Sequence, residues 1–170
     1  ANKSNEIEAI VERCPTGALT ISRSDSGHTE KPPAQNVIMV SNQGPLYVHG
    51  DLEIDSAPKD APGLRFRAAL CRCGLSENKP FCDNNHESDD EFNDRGAVGQ
   101  AGEALSETGG KLIIKRAENG PLLLQGNLTV LSSSGREAWH GTKAALCRCG
   151  KSRNKPFCDG AHKPAGFEAD

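Results

Sequence analysis

The sequence predicts a small, mainly β protein with short helices (a small α+β fold), built from two copies of one unit. Three observations predict this fold class. The segment from about residue 37 to residue 86 recurs, without a gap, 76 positions later. Each copy contains short β-prone runs separated by turns that hold Gly and Pro. Only 35% of the 170 residues are hydrophobic and 4% aromatic, so the core must be thin.

The composition argues against several classes of protein. A net charge of −3 argues against a nucleic-acid partner or an anionic membrane surface. No apolar run approaches the ~20 residues of a membrane span, and residues 1–6 lack the apolar stretch of a signal peptide. Six of the seven cysteines cluster in two groups, each with a His nearby, which is typical of metal ligands in a reducing compartment. We therefore expect a cytoplasmic protein.

The N-terminal segment, residues 1–22, is predicted to contain a helix. Its apolar residues recur at helical spacing, and Pro15 ends the pattern. The residues that form this face are Ile7, Ile10, Val11 and Cys14. We interpret Cys14 as a small, buried apolar residue.

The two repeats follow one order of elements. In the first repeat, residues 34–90, strands are predicted at Val37–Val40, Leu46–Val48 and Leu52–Ile54, with Gly50 between the last two. In the second repeat, residues 111–166, the equivalent strands are Lys111–Ile114, Leu122–Leu124 and, after Gly126, Leu128–Val130. A loop and a further short strand then lead into the cysteines. Residues 91–110 are rich in acidic residues and Gly and are interpreted as an exposed linker.

Each repeat ends in the pattern C-x-C-x8-C-x3-H. Three thiolates and an imidazole suit zinc or an iron–sulfur cluster. The C-x-C pair and the C-x3-H pair approach from two directions, so they can hold one tetrahedral ion or one iron each of a [2Fe–2S] cluster. The spacing leaves both alternatives open. The candidate ligands are Cys71, Cys73, Cys82 and His86 in the first copy, and Cys147, Cys149, Cys158 and His162 in the second.

Residues between the ligands have local roles. Asp83 follows the third cysteine, and we expect it to cap the helical turn that carries the His. Gly160 permits either a close backbone approach or a positive φ, and Asn84, its counterpart in the first copy, tolerates positive φ better than most residues. Ser76 is placed to donate a hydroxyl hydrogen bond to a sulfur.

Other charged residues near the motif have two possible interpretations, and the remaining histidines have a purely structural one. Four cations beside the cysteines either are solvated surface charges or offset the charge of a cluster and guide an acceptor protein; they are Arg72, Arg148, Lys79 and Lys155. Three histidines have no ligand spacing around them and are interpreted as structural; they are His28, His49 and His140.

The motif resembles that of the CDGSH iron–sulfur family, also called the NEET proteins, whose pattern is C-x-C-x2-[S/T]-x3-P-x-C-D-G-x-H. The second copy matches every fixed position, and the first departs only at Asn84. The resemblance implies two redox-active [2Fe–2S] clusters, each held by three Cys and one His. The C-x-C pair would hold the inner iron, and the third Cys with the His would hold the outer iron.

The resemblance also implies an architecture. The single-motif proteins that this chain resembles are intertwined homodimers with a β-cap and a cluster-binding lobe. A chain with two copies can make that pair within itself, so we expect an internal pseudo-two-fold axis, strands exchanged between the halves, and a monomer. The segment around Cys14 and Pro15 resembles the end of a bacterial ferredoxin's cluster-binding run, which suggests a remnant of a divergent ferredoxin-like domain. Cys14 alone cannot hold a cluster.

The function implied is one-electron transfer, pH-sensitive transfer of intact clusters, or both. Because imidazole is neutral, His ligation raises the potential of a cluster above that of an all-Cys cluster. The partner would be a redox protein or an apo-protein acceptor, which the sequence does not specify, and neither nucleic acid nor membrane. We expect no enzymatic activity. The alternative is a zinc-stapled, non-catalytic interaction module.

Overall fold

The computed structural model describes residues 3–22 and 30–169. Within them the chain forms one α-helix, two 3-10 helices and one sheet. The helix is α1 (Lys3–Val11), and the 3-10 helices are Pro62–Arg65 and Asn85–Ser88. The strands are β1 (Val37–Val40), β2 (Leu46–His49), β3 (Asp51–Ile54), β4 (Arg67–Leu70), β5 (Lys111–Arg116), β6 (Leu122–Leu131) and β7 (Glu137–Leu146).

The strands form a single, nearly closed, barrel-like sheet. Its order is β3-β5-β6-β1-β2-β4, and β7 pairs with β6. Within the first copy, β1 pairs antiparallel with β2 and β2 with β4. The second copy repeats this arrangement through antiparallel pairs of β5 with β6 and of β6 with β7.

The two copies exchange strands across an internal pseudo-two-fold axis. β3 of the first copy pairs in parallel with β5 of the second, and Ile54 lies opposite Ile114. β1 of the first copy pairs in parallel with the second half of β6, and Ile38 lies opposite Val130. The 76-residue shift converts one of these pairs into the other. The exchange is therefore reciprocal, as the duplication led us to expect.

The second copy differs from its prediction around Gly126. The two strands expected on either side of this residue are one continuous strand, β6. Its pairing with β7 shifts register between Gln125 and Leu128, so the glycine marks an irregularity and does not end the strand. In the first copy Gly50 does separate β2 from β3, as predicted.

The core lies inside this sheet and draws on both copies. Alternate residues of the strands point inward, as the pattern of period two in β1, β2 and β5 shows. The buried members include Ile38, Val48, Leu52, Ile54, Leu112, Ile114, Leu124, Leu128 and Val130. Because one hydrophobic cluster contains residues from both halves, neither half closes a core by itself.

The N-terminal helix forms but ends at Val11, before Cys14 and Pro15, and its apolar residues Ile7 and Ile10 do not pack. Ile7 and Ile10 are 52% and 63% exposed, whereas Glu8 is buried. The segment is instead tied to the sheet through Arg67, which donates hydrogen bonds to the carbonyl of Glu12 and pairs with the carboxylate of Glu30. No helix in the described ranges is long and apolar enough to cross a membrane.

The segment between the copies lies closer to the fold than an exposed linker would. Phe92 is buried, and the Asp94 carboxylate pairs with buried Arg72. Further along, the Glu103 amide donates to the carbonyl of His140 at 2.9 Å. The acidic composition predicted an exposed segment. The prediction failed because a single buried aromatic residue, Phe92, anchors the segment to the fold.

The strand exchange predicts a single cooperative unfolding transition. Leu52→Ala, in the first copy, should lower the free energy of unfolding by about 2–5 kcal/mol because it leaves a cavity in the shared core. The loss should appear equally in the fluorescence of Trp139, in the second copy, and in far-UV circular dichroism during denaturant titration. Leu123→Ala, at an exposed position of β6, should change stability by no more than about 0.5 kcal/mol. A Trp139 transition that does not respond to Leu52→Ala would contradict shared folding.

Candidate metal centre

Each set of four ligands is built by a loop that folds back on the strand before it. In the first copy, which forms cage one (Cys71, Cys73, Cys82 and His86), Leu70 bridges to Phe81. The Cys71 amide donates to the Pro80 carbonyl at 2.8 Å, and the Cys82 amide to the Ala69 carbonyl at 2.9 Å. This antiparallel return brings the third cysteine beside the first.

The second copy builds cage two (Cys147, Cys149, Cys158 and His162) in the same way. Leu146 bridges to Phe157, and the two equivalent hydrogen bonds measure 2.7 and 2.8 Å. The structure therefore places the eight predicted ligands at matching positions in the two copies.

Within each cage the donors are arranged in pairs. The Sγ atoms of the C-x-C pair are 3.6 Å apart in cage one and 3.8 Å apart in cage two. The third cysteine's Sγ lies 3.6 Å from His86 Nδ1 and 3.5 Å from His162 Nδ1 in the respective cages. Two thiolates on one tetrahedral metal at about 2.3 Å lie roughly 3.8 Å apart, and a thiolate and an imidazole roughly 3.5 Å apart. Each pair thus fits one metal atom, and the cysteines are free thiols.

The pairs of one cage do not converge on one point. Among the residues that the structure describes, no group of three or more His, Cys, Asp and Glu side chains is arranged to hold a metal ion. A single tetrahedral zinc would need all four donors around one centre. Each cage therefore presents two separate donor pairs.

Backbone amides surround the sulfurs. The Leu75 and Asn84 amides donate to the Sγ atoms of Cys73 and Cys82, each at 3.4 Å. In cage two the Lys151 and Gly160 amides do the same for Cys149 and Cys158, at 3.5 and 3.4 Å. These N–H dipoles stabilise negative charge on the sulfurs.

The close thiols interact strongly. A hydrogen bond from the Cys73 thiol lowers the pKa of Cys71 to about 6 against the opposing effect of burial, and the same bond raises the pKa of Cys73. In cage two burial raises the pKa of Cys147. A second thiolate beside the first is therefore disfavoured in the protein alone, and a bound cation would remove this penalty.

Two buried arginines hold the C-x-C segments in place. Arg72 and Arg148 are each 1% exposed, so the interpretation of these two as solvated charges is wrong. Their Nε atoms donate to the carbonyls of Gly44 and Gly120, at 2.7 and 2.8 Å, in the turns that precede β2 and β6. Each arginine therefore ties its C-x-C segment to the turn before the neighbouring strand.

Aromatic residues cover these arginines, and the sequence did not reveal them. Phe92 lies 5.1 Å from the Arg72 guanidinium and 6.4 Å from the His86 ring. Phe167 lies 5.4 Å from the Arg148 guanidinium. The two phenylalanines are 75 positions apart, one fewer than the repeat, so alignment at a fixed shift missed them. An alignment of the two copies that allows one deletion after the motif would pair Phe92 with Phe167.

Ser76 does not bind a sulfur, and that expectation is wrong. Its hydroxyl donates to the Phe81 carbonyl at 2.6 Å and accepts the Asn78 amide at 3.0 Å. Ser152 makes the equivalent bonds in cage two. A serine hydroxyl inside a loop can hydrogen-bond to the backbone of that loop. Ser76 therefore stabilises the loop that carries the third cysteine.

Lys79 and Lys155 are also partly engaged by the loops. Their Nζ atoms donate to the backbone carbonyls of Ser76 and Ser152 respectively. Both lysines are only half-buried.

The turn that carries the His starts with a left-handed residue. The carboxylate of Asp83 accepts the amides of Glu77 and Asn85, but the N-cap position of the 3-10 helix is Asn84, with φ of 69°. In cage two the backbone amides of Arg153 and Ala161 hold the pKa of the Asp159 carboxyl below its ordinary value.

Gly160 is required for its backbone angle. Its φ is 87°, and a Cβ at this position would meet nothing within 4 Å. Of the two reasons considered for this glycine, positive φ is therefore correct and close approach is not. Asn84 meets the same demand in the first copy.

The two cages meet at the pseudo-two-fold axis. A Cβ on Gly74 would lie 2.7 Å from the Cys149 carbonyl oxygen, and a Cβ on Gly150 would lie 2.1 Å from that of Cys73. The C-x-C segments therefore touch backbone to backbone, and only glycine fits at the contact. This contact places the inner cysteine pairs of both cages in one shared region.

The remaining candidates lie outside the cages. His49 ends β2, and His140 contacts Thr129 and Glu137. His28 falls outside the described residues. Cys14 is half-buried and not a core residue, so its interpretation was wrong. Burial raises its pKa, but hydrogen bonds from the Thr16 hydroxyl and nearby amides outweigh burial and lower the pKa to about 7.

The backbone angle at Gly160 gives a direct test. Gly160→Ala should lower the free energy of unfolding by about 1–2 kcal/mol, because an L-residue resists the left-handed region. Gly99→Ala is the matched control, since a Cβ there also meets open space without a positive φ. Chemical denaturation of both variants measures the difference. Equal stability of the two would contradict the assignment of strain.

The buried arginine gives a second test. Arg72→Lys should lower the free energy of unfolding by about 1–3 kcal/mol, because lysine cannot reproduce the forked contacts to several carbonyls. Arg65→Lys, at an exposed position, is the control and should be nearly neutral. If both variants unfold at the same denaturant concentration as the parent, Arg72 does not anchor the C-x-C segment.

Comparison with known proteins identifies the family of the chain. No curated protein matches the chain. The family described as "Iron-binding zinc finger CDGSH type" matches twice, at residues 43–87 and 119–163, and each match contains one complete cage. The two matches together span more than half of the sequence. The chain therefore belongs to the CDGSH-type iron-binding family and carries its domain in tandem.

Proposed function

We propose that the chain binds two [2Fe–2S] clusters, one in each cage. The paired donors carry this proposal: every pair has the spacing of two ligands on one tetrahedral metal, and within the described residues no three donors gather around one ion. Two metal atoms per cage account for both facts. The ligands would be Cys71, Cys73, Cys82 and His86, and Cys147, Cys149, Cys158 and His162.

A bound [2Fe–2S] cluster supplies one-electron redox chemistry. The chain's own residues give that cluster an inner and an outer side. The C-x-C pairs are buried, whereas Cys82, His86, Cys158 and His162 are only half-buried. Exchange of an electron, or of the cluster itself, would take place at the outer pair.

The histidines set the chemistry of the outer side. In both cages Nδ1 faces the third cysteine, so we assign Nδ1 to the metal and leave Nε2 to exchange a proton. An imidazole protonated at its ligating nitrogen cannot bind metal, so acid would open the outer pair first. The chain would then act as an electron carrier or as a donor of clusters to an apo-protein, and not as a catalyst.

The duplication supports a monomer. The strand that a single-copy relative would take from a partner is supplied here by the other half of the same chain. The free cysteines suit a reducing compartment such as the cytoplasm.

Metal analysis tests the cofactor. Anaerobically purified protein should contain two irons and two acid-labile sulfides per cage, and it should be red-brown with visible absorption bands. A colourless protein with one zinc per cage and no sulfide would contradict the proposal and favour the zinc-stapled interaction module.

Ligand replacement tests the role of the histidines. His162→Cys should lower the reduction potential of its cluster and slow cluster loss in acid, because thiolate is anionic and binds iron more firmly. Square-wave voltammetry and the decay of visible absorption at low pH measure the two effects. His140→Ala, outside the cages, is the control. An unchanged potential and an unchanged acid lability in His162→Cys would show that this His is not a ligand.

A further inference from the structure

The two cages share their ligands but carry opposite charge around them. Residues 71–94 contain seven carboxylates and two Lys or Arg residues, whereas residues 147–169 contain two carboxylates and five Lys or Arg residues. The reversal occurs at equivalent positions of the repeat. The equivalent pairs are Leu75 and Lys151, Glu77 and Arg153, and Glu87 and Lys163.

The structure places the basic residues beside the outer pair of cage two. Lys151 and Arg153 line one surface groove together with Gly160 and Ala161, which lie between the ligands Cys158 and His162 in the chain. Lys163 directly follows His162, and all three cations are exposed. We call Lys151, Arg153 and Lys163 the basic rim.

Two carboxylates, Asp159 and Glu91, lie near the three cations of the basic rim and leave it with a net positive charge. Asp159 lies in the same groove, where its oxygens also accept the amides of Arg153 and Ala161. Glu91, from the segment after cage one, lies 3.6 Å from the Lys151 Nζ, with side chains 83% and 58% exposed respectively. Exposed ion pairs contribute about 0–1 kcal/mol, so a partner's carboxylate can replace Glu91.

The surroundings of cage one oppose such a partner. Glu77 and Glu87 are exposed, and Glu87 follows His86 directly. Phe92 contacts the edge of the His86 ring, and it lies at the end of an acidic stretch that contains Asp89, Asp90 and Glu91. A negatively charged surface approaching this cage meets carboxylates.

We propose that the basic rim is the docking surface for a protein with an acidic face, and that this partner approaches cage two and not cage one. Complementary charge raises encounter rates by about 10–10³ at low salt and suppresses the wrong orientation. The inference deepens the proposed function, because it gives the chemistry of the redox partner or acceptor. The docking itself depends only on the rim, whichever metal fills the cages.

A matched pair of probe proteins tests the docking. Native horse cytochrome c presents a lysine-rich face, and succinylation converts the same protein into an acidic one. Added at low ionic strength to the metal-loaded chain as purified, the succinylated form should protect peptides from residues 151–165 against hydrogen–deuterium exchange and leave those from residues 75–87 unchanged. Added salt should reverse the protection. Protection spread over the surface, or confined to residues 75–87, would overturn the proposal.

Charge reversal separates the rim from net charge. The double variant Lys151→Glu with Lys163→Glu should weaken the binding of succinylated cytochrome c at least tenfold by isothermal titration calorimetry. The double variant Lys59→Glu with Lys115→Glu changes the net charge equally at exposed sites outside the cages, and it should retain most of the affinity. Equal weakening in both variants would overturn the proposal.

Two further measurements keep the outcomes distinct. Far-UV circular dichroism should show that both double variants fold, since all four lysines are exposed. Metal analysis of the same samples reports on the proposed clusters. Rim-dependent binding in a zinc-containing sample would support the docking surface and contradict the cluster proposal. Iron-loaded protein without rim-dependent binding would support the cluster proposal and overturn the docking surface.

Discussion

The reciprocal exchange of strands between the two copies is the constraint on which the rest of the structure depends. Each half contributes one strand to the other, so a single core forms from apolar segments too short to make two. The same exchange brings the ends of β4 and β7 to the pseudo-two-fold axis. There the C-x-C segments touch at Gly74 and Gly150, and this contact fixes where both cages lie.

Each cage combines closely spaced thiols, which resist ionisation together, with hydrogen-bond donors that favour their ionised form. Paired thiols resist double ionisation, yet backbone amides donate to the sulfurs of Cys73, Cys82, Cys149 and Cys158 and favour negative charge there. Burial of Arg72 is in turn made possible by carbonyl acceptors, the Asp94 carboxylate and the face of Phe92. The proposed clusters would supply the cations that complete this charge balance.

The sequence predicted those features that depend on neighbouring residues. The pairing of the candidate ligands, the positive φ at Asn84 and Gly160, and most strands follow from spacing and local preference. Features set by distant contacts were missed. The Ser76 hydroxyl had several possible partners, and β6 continues through Gly126 because β7 pairs with it on both sides of a register shift. Phe92 aligns with Phe167 only when one residue is deleted from the repeat. Helical periodicity found α1 but could not tell that Ile7 and Ile10 face solvent.

The central claim is that each cage holds two metal atoms, one for each pair of donors. Crystals of the anaerobically purified protein, measured on both sides of the iron absorption edge, give an anomalous difference map that tests this directly. The account predicts two resolved iron peaks in each cage, one beside the C-x-C sulfurs and one beside the third cysteine and the His. A single peak equidistant from all four donors would contradict it.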